Sequence, residues 1–297
     1  MPWFQVKLKV ESSDWQTSGF VSLLLKQCGA QAVTFMDEAD DPIYEPPIKA
    51  TSLWKDTLVI GLFTDRDSAV AANNVIKNKF KLSYSQLDEL PDQDWQQAIK
   101  QDFKPLNFAN KLLVCPSWEQ PTTNSNLITM NFDPGLAFGT GQHPTTAMCL
   151  EWLANSDKIT QSCVVDYGCG SGILSIASIL LGAEQVVAID IDPQALEATV
   201  NNAKSNKIDM HKLHTCLPNE TPLVQTDIVV ANILANTIIE LHDEIDNLIK
   251  PSGTVLFTGI LTEQIDKVTA RYKNKFNFEI AATQNDWVLL VGSKISK

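Results

Sequence analysis

Six cysteines in 297 residues form no CxxC pair, too sparse a set for a disulfide-stapled secreted scaffold or a zinc ribbon. Five of them, among Cys28, Cys115, Cys149, Cys163, Cys169 and Cys216, stand in apolar or Gly-rich surroundings. Reduced thiols in a cytoplasmic protein are expected. Glycine at 13 and proline at 14 are too few for a collagen-like or low-complexity chain. Long apolar runs are missing as well. The longest apolar-leaning stretch, Gly172 to Ala183, carries serines and is too short to span a bilayer. The opening Met1-Pro2-Trp3-Phe4-Gln5-Val6-Lys7 has no apolar run behind a basic flank, so neither a signal peptide nor a membrane anchor is expected. Positive charge is scarce: 23 Lys and Arg face 35 Asp and Glu, a net −12. Such a chain is poorly suited to bind nucleic acid directly, because phosphates need facing cations. It suits a basic protein partner, whose approach the negative field speeds. The charge is spread along the chain, without an acidic tail or a basic arm.

What is present is globular. Apolar residues make up 44% and charged residues 20%, enough for a sizeable core without staples. The length predicts two domains. In residues 1–90 the pattern reads strand, helix, strand, strand, helix, strand. Trp3 to Val10 alternates, with Phe4, Val6, Leu8 and Val10 on one face. Ser12 or Ser13 suits the cap of a helix running to Cys28, with Gly29 as its stop. Ala32 to Met36 and Thr57 to Phe63 read as strands. Asp37 to Pro47 is an acidic, Pro-rich loop. Asp65 to Phe80 has helical spacing, with Val70, Ala71, Val75 and Ile76 as its apolar stripe. This order predicts a small α+β ferredoxin-like domain. Residues 91–115 read as a connector with a short helix from Trp95 to Phe103, capped by Asp94 and stopped by Pro105. From residue 116 to 297 strands and helices alternate, which predicts a doubly wound, Rossmann-like α/β sheet. Its readable pieces include a strand at Val164-Val165 and a helix at Ile173 to Leu181. A second helix, Pro193 to Ser205, has Asp192 as cap and Pro193 at its first position.

Three segments of this second domain carry chemistry. Val164-Val165-Asp166-Tyr167-Gly168-Cys169-Gly170-Ser171-Gly172 follows a strand and opens a helix, the context that makes a Gly-rich loop meaningful. Its spacing is G-x-G-x-G, not the G-x-G-x-x-G of dinucleotide oxidoreductases. Asp166 just before the loop repels a pyrophosphate but suits a ligand carrying an ammonium and a sulfonium. The segment resembles the S-adenosylmethionine loop of class I methyltransferases. Val186-Val187-Ala188-Ile189-Asp190-Ile191-Asp192-Pro193 places Asp190 at the carboxyl end of the next strand, where a carboxylate can accept ribose hydroxyls. Asp227-Ile228-Val229-Val230-Ala231-Asn232-Ile233-Leu234-Ala235 puts Asn232 just past a buried strand. Its amide can accept from an amine and donate at once. Amide and DNA methyltransferases have an Asn-Pro-Pro-Tyr-like element there, and Ile-Leu in place of Pro-Pro argues against a flat, aromatic-caged target.

Upstream lies Asp133-Pro134-Gly135-Leu136-Ala137-Phe138-Gly139-Thr140-Gly141-Gln142-His143-Pro144-Thr145-Thr146, three glycines, a histidine and several threonines ahead of an apolar helix. With the three later segments it resembles the methyltransferases that modify the eleventh protein of the large ribosomal subunit. The likeness covers the whole chain in outline. Gln142 departs from it, standing where a smaller residue such as Thr is expected. The resemblance implies S-adenosylmethionine as cofactor. It also implies N-methylation of the α-amine and lysine side chains of that ribosomal protein, with several methyls added to one nitrogen; another protein or a small amine is the alternative substrate. It implies that Gly168 touches the methionine part of the cofactor through its backbone. It likewise implies that Asp190 holds the ribose, that Asn232 lies near the transferable methyl, and that Thr145 binds the methionine end. Phe138 is a candidate wall of the site. His143 reads as a structural hydrogen bonder more than as a general base, and no catalytic base is assigned. His211 and His214 lack companion ligands at metal spacing and read as exposed residues around a strand.

Overall fold

The computed structural model describes residues 2–10, 15–39, 54, 56–91, 103–119, 126–133, 141–222 and 225–295. The chain divides into two compact units, Met1–Trp95 and Gln96–Lys297. The first unit contains β1 (Trp3–Val10), α1 (Trp15–Gln27), β2 (Ala32–Asp37), β3 (Thr57–Phe63), α2 (Arg66–Lys79) and β4 (Leu82–Leu90). Its sheet runs β2-β3-β1-β4 with every neighbour antiparallel, the split βαβ arrangement of the ferredoxin-like fold. Alternation in β1 buries Phe4, Val6, Leu8 and Val10, which pack with Val21 and Leu25 of α1 and Ile76 of α2. Gly29, at φ +98°, stops the chain beyond α1 where a side chain would be strained. The helix α2 turns a different face inward from the one its large residues suggest. Val70 and Ala71 are exposed, while Ala69, Ala72 and Ile76 are buried. Two alanines at that spacing let the helix lie close on the sheet. Ser12 and Ser13, most of the Asp37–Pro47 loop and most of the Trp95–Phe103 helix lie outside the described residues.

The second unit opens with β5 (Leu106–Phe108), β6 (Leu112–Cys115) and β7 (Ile128–Asn131), a small three-stranded sheet. Residues 106–115, which read as connector, are thus strands of this unit. There follow α3 (Pro144–Asn155), β8 (Cys163–Tyr167), α4 (Ile173–Leu180), β9 (Gln185–Ile189), α5 (Pro193–Ser205), β10 (Leu213–Cys216) and β11 (Thr226–Asn232). The remainder is α6 (Ala235–Glu240), α7 (His242–Leu248), β12 (Ile249–Leu261), α8 (Ile265–Tyr272), β13 (Phe276–Gln284) and β14 (Trp287–Lys294). The main sheet runs β10-β9-β8-β11-β12-β14-β13. Its first five strands are parallel, and β14 inserts antiparallel between β12 and β13. Helices cover both faces and two separate cores result. One is centred on Leu150, Leu153, Ile176 and Val230, the other on Phe257, Tyr272, Ile238 and Val229. That is why Val164-Val165 in β8 and Ile228 to Ala231 in β11 read as continuous apolar runs instead of alternating.

The chain leaves β8 toward β9 on one side and later leaves β11 toward β12 on the other. The strand order therefore reverses between β8 and β11, and open α/β sheets bind ligands in the crevice at the carboxyl ends of such a pair. The Gly loop follows β8 and Asn232 ends β11, so both stand at that crevice.

Candidate active site

The loop after β8 works because three of its residues lack a side chain. Gly168, Gly170 and Gly172 take φ values of +77°, +53° and +78°, a region that costs other residues about 1–2 kcal/mol. The amides of Gly168 and Cys169 both donate to Ile189 O, at 2.8 and 3.0 Å, folding the loop over the end of β9. A Cβ on Gly168 would stand 2.3 Å from Ile233 Cγ2, and one on Gly172 would stand 2.7 Å from the Thr199 side chain. Helix α5 holds the loop from the other side. The Thr199 hydroxyl donates to Gly170 O at 3.1 Å and Asn202 Nδ2 donates to Ser171 O at 2.8 Å.

Asp190 stands one residue past β9. Its Oδ2 accepts from Gly170 N–H at 2.9 Å and its Oδ1 from Asp192 N–H at 3.0 Å. Each oxygen has a second lone pair to offer. Asp192 is the cap of α5, accepting from Gln194 N–H at 2.9 Å, with Pro193 at the first position. Asp166, the penultimate residue of β8, is 1% exposed. It accepts from the Ser175 hydroxyl at 2.6 Å. Burial pushes its carboxyl up to about 6 against the lowering effect of Ser175, and the neighbouring Asp190 adds to the rise. Asp227, at the opposite end of β11, is paired with Lys250 at 2.8 Å, whereas the charged residues at the carboxyl ends of β8 and β9 are Asp166, Asp190 and Asp192. That field suits a cationic ligand and disfavours a pyrophosphate. The Cys149 and Cys169 thiols are pushed up by burial first and by Asp166 second, so both remain unreactive thiols.

Asn232 ends β11 half-buried, and its Nδ2 donates to Thr146 Oγ1 at 3.2 Å. Thr146 sits in the first turn of α3. His143 caps that helix through Nδ1, with Thr145 N–H at 3.4 Å and the Thr145 hydroxyl at 2.7 Å. The His143 ring stands edge-on to Trp287 of β14 with centroids 5.3 Å apart. Burial holds its imidazole below the usual histidine range, which keeps it neutral and suits a cap acceptor. Thr145 is 1% exposed.

The structure therefore ties Gly168, Asp190 and the loop into one network and brings Asn232 to the helix turn that carries Thr145. Phe138 and residues 134–140 lie outside the described residues. The preceding Asp133 is held by Ser117, whose N–H and hydroxyl donate to its carboxylate at 2.6 and 2.7 Å. His211 and His214 are exposed. Sequence reasoning missed Thr146, Thr199, Asn202 and Gly259. The last has φ +78°, and a Cβ on it would stand 2.3 Å from Ile233 O. A glycine inside an apolar strand signals such a close approach, and a threonine on the buried face of α5 signals a hydrogen-bond partner. Nothing local marks Thr146 out from Thr145.

A family model described as ribosomal protein L11 methyltransferase (PrmA) matches residues 2–295. The ribosomal protein L11 methyltransferase of Marinomonas sp. strain MWYL1 is 42% identical over 299 residues, covering 99% of each chain. That of Pseudomonas fluorescens strain SBW25 is 42% identical over 296 residues, covering 99% of this chain and 100% of the relative. Among solved structures, the crystal structure of ribosomal protein L11 methylase from Lactobacillus delbrueckii subsp. bulgaricus aligns with a TM-score of 0.58 and 30% identity. It covers 65% of this chain and 100% of that one.

Proposed function

The chain belongs to the ribosomal protein L11 methyltransferase family, an S-adenosylmethionine-dependent family acting on that ribosomal protein, and on this premise we propose which residues carry the reaction and which nitrogens receive the methyl. The Gly168 backbone and Thr145 hold the methionine part of the cofactor, Asp190 holds the ribose, and Asn232 stands at the methyl. The observation that carries this reading is the Asp190 carboxylate. Two backbone amides, one of them from the Gly loop itself, fix its plane at the carboxyl end of β9. Each oxygen keeps a lone pair for one hydroxyl of a vicinal diol. The aspartates at the carboxyl ends of β8 and β9, Asp166 and Asp190, fit an ammonium and a sulfonium in the same ligand.

S-adenosylmethionine, when bound, supplies a methyl group already activated on a sulfonium sulfur. What is left for the chain is to hold an amine in line, keep water out and leave the nitrogen unprotonated. Asn232 Oδ1 is placed to accept an N–H from the incoming amine, which aims the lone pair. A lysine near 10.4 costs about 4.6 kcal/mol to deprotonate at pH 7, and an α-amine near 7.8 about 1 kcal/mol, at 1.36 kcal/mol per unit. A desolvating crevice lowers both costs. Orientation and desolvation thus suffice without a dedicated base, and both the α-amine and lysine side chains are the proposed acceptors. Residues 1–90 serve as the substrate-recognition domain, and the net −12 of the chain favours a basic partner. Among the described residues no helix is long and apolar enough to cross a membrane. The proposed location is the cytoplasm, where the substrate is made.

The test is an intact-mass spectrum of unmethylated ribosomal protein L11 after incubation with this protein and S-adenosylmethionine. A ladder of single-methyl steps on the α-amine and lysines, absent with Asp190→Ala, is the expected result. Methylation that survives Asp190→Ala, or methyls on other residue types, would overturn the assignment.

A further inference from the structure

A carboxamide side chain presents two ends of nearly equal shape and opposite chemistry. Half a turn about its last bond exchanges an acceptor for a donor. A site that needs the Asn232 carbonyl oxygen at the amine must therefore hold the NH₂ end elsewhere. The backbone of Asn232 leaves little freedom. The next residue, Ile233, is wedged between two glycines: missing Cβ atoms on Gly168 and Gly259 would each stand 2.3 Å from it, at Cγ2 and at its carbonyl oxygen. Only the Asn232 side-chain torsions remain to be set.

We propose that Thr146 is the positioning residue that sets them, taking the Asn232 NH₂ and so presenting Oδ1 to the substrate amine; this rests on the reading of Asn232 given above. Thr146 is 0% exposed and its Oγ1 accepts from Asn232 Nδ2 at 3.2 Å. Its own position is fixed from two directions. It lies in the first turn of α3, whose cap His143 is pinned edge-on against Trp287. The helix is buried further along by Met148, Cys149 and Leu150. Among the described residues Asn232 Oδ1 accepts from no donor, so the acceptor end is the one left for the ligand. A rigid hydroxyl on one element thus decides the polarity of an amide on another.

The experiment compares Thr146→Val, which keeps the shape and removes the hydroxyl, with Thr146→Ser, which keeps the hydroxyl. Rates are measured on unmethylated ribosomal protein L11 with saturating S-adenosylmethionine. Thr146→Val is expected to lower kcat about tenfold, the scale of one lost hydrogen bond, with KM for the ribosomal protein unchanged; Thr146→Ser restores the rate. In an Asn232→Ala background Thr146→Val has no further effect, whereas a merely structural role would lower both backgrounds alike. An unchanged kcat in Thr146→Val, with Asn232→Ala crippled, overturns the role of Thr146 and leaves that of Asn232 standing. An unchanged kcat in Asn232→Ala overturns both. Should Thr146→Val fail to fold, the unsubstituted protein still decides. NMR of its Asn232 side-chain amide is expected to show slowed proton exchange, and exchange like a free amide in water would overturn the proposal.

Discussion

Substituting Asp166 by Asn isolates the cost of a buried carboxylate behind the cofactor loop. Asn keeps an acceptor for the Ser175 hydroxyl and removes the charge. In the folded protein burial lifts this carboxyl from an ordinary 3.8 to about 6. The native state therefore binds the proton more tightly than the unfolded chain does. The contribution of Asp166 to stability is fully present below 3.8 and is lost as pH rises through about 6. The full loss is about 3 kcal/mol at 1.36 kcal/mol per unit. Between about pH 5 and about pH 8 the same linkage relation gives about 1.4 kcal/mol. Native-state hydrogen exchange of the β8 and β11 amides, corrected for intrinsic rates, reads this directly. The protection of the Asn variant relative to the unsubstituted protein should rise about tenfold over that interval. Comparing the two proteins at both pH values cancels every other titrating group and any fixed cost of the amide. Parallel pH profiles would refute the reasoning, since they would mean that Asp166 carries its charge at no penalty.

Two other substitutions test the framework around the site. Gly259→Ala places a side chain in a left-handed conformation and against the Ile233 carbonyl, 2.3 Å away. Stability should fall by at least about 1–2 kcal/mol from the backbone alone. The methylation rate should fall with it as Asn232 is displaced; wild-type turnover in a folded variant would show that the Ile233 peptide is not what holds Asn232. Asp246 is pushed up by burial, but the ammonium groups of Lys275 and Lys294, at 2.6 and 3.0 Å, outweigh that and leave its carboxyl lowered. A lowered carboxyl stabilises above its unfolded value and loses that contribution as pH falls through its folded one. In calorimetry Asp246→Asn should have a lower Tm than the parent near neutral pH, with the gap closing in acid. A gap of constant size would assign the loss to packing instead.

The parts of the site that could be read from the sequence are those in which chemistry and local structure share one short segment. Gly168, Gly170 and Gly172 between an apolar strand and a helix, Asp190 before its Asp192-Pro193 cap, and Asn232 after a buried strand are of this kind. The fold was legible for the same reason, since strand alternation in Trp3–Val10 and apolar runs in β8 and β11 are local signals. What stayed hidden depends on the third dimension. Thr146 meets Asn232 across 86 positions, and adjacent threonines, both buried, look alike until the fold brings one of them to Asn232. In α2 the larger side chains Val70 and Val75 marked a stripe, but the sheet takes the alanine face because small residues allow closer approach. Residues 106–115 read as connector because strands of three and four residues are too short to show a period.

The insertion of β14 has a consequence for how this protein is made. Strands β12 and β13 precede it in the chain, yet neither pairs with the other; β13 joins the sheet only through β14. A nascent chain exposing only residues up to Gln284 leaves β13 with no neighbour to pair with in the sheet. It also lacks Trp287 beneath the His143 ring, and Val288, whose carbonyl receives the Thr258 hydroxyl at 2.9 Å next to Gly259. The sheet is completed when residues 287–294 emerge and pair with both β12 and β13. Synthesis order alone thus makes the closing strand of the sheet the last to be made, so the β12–β14–β13 edge forms only at the end of synthesis.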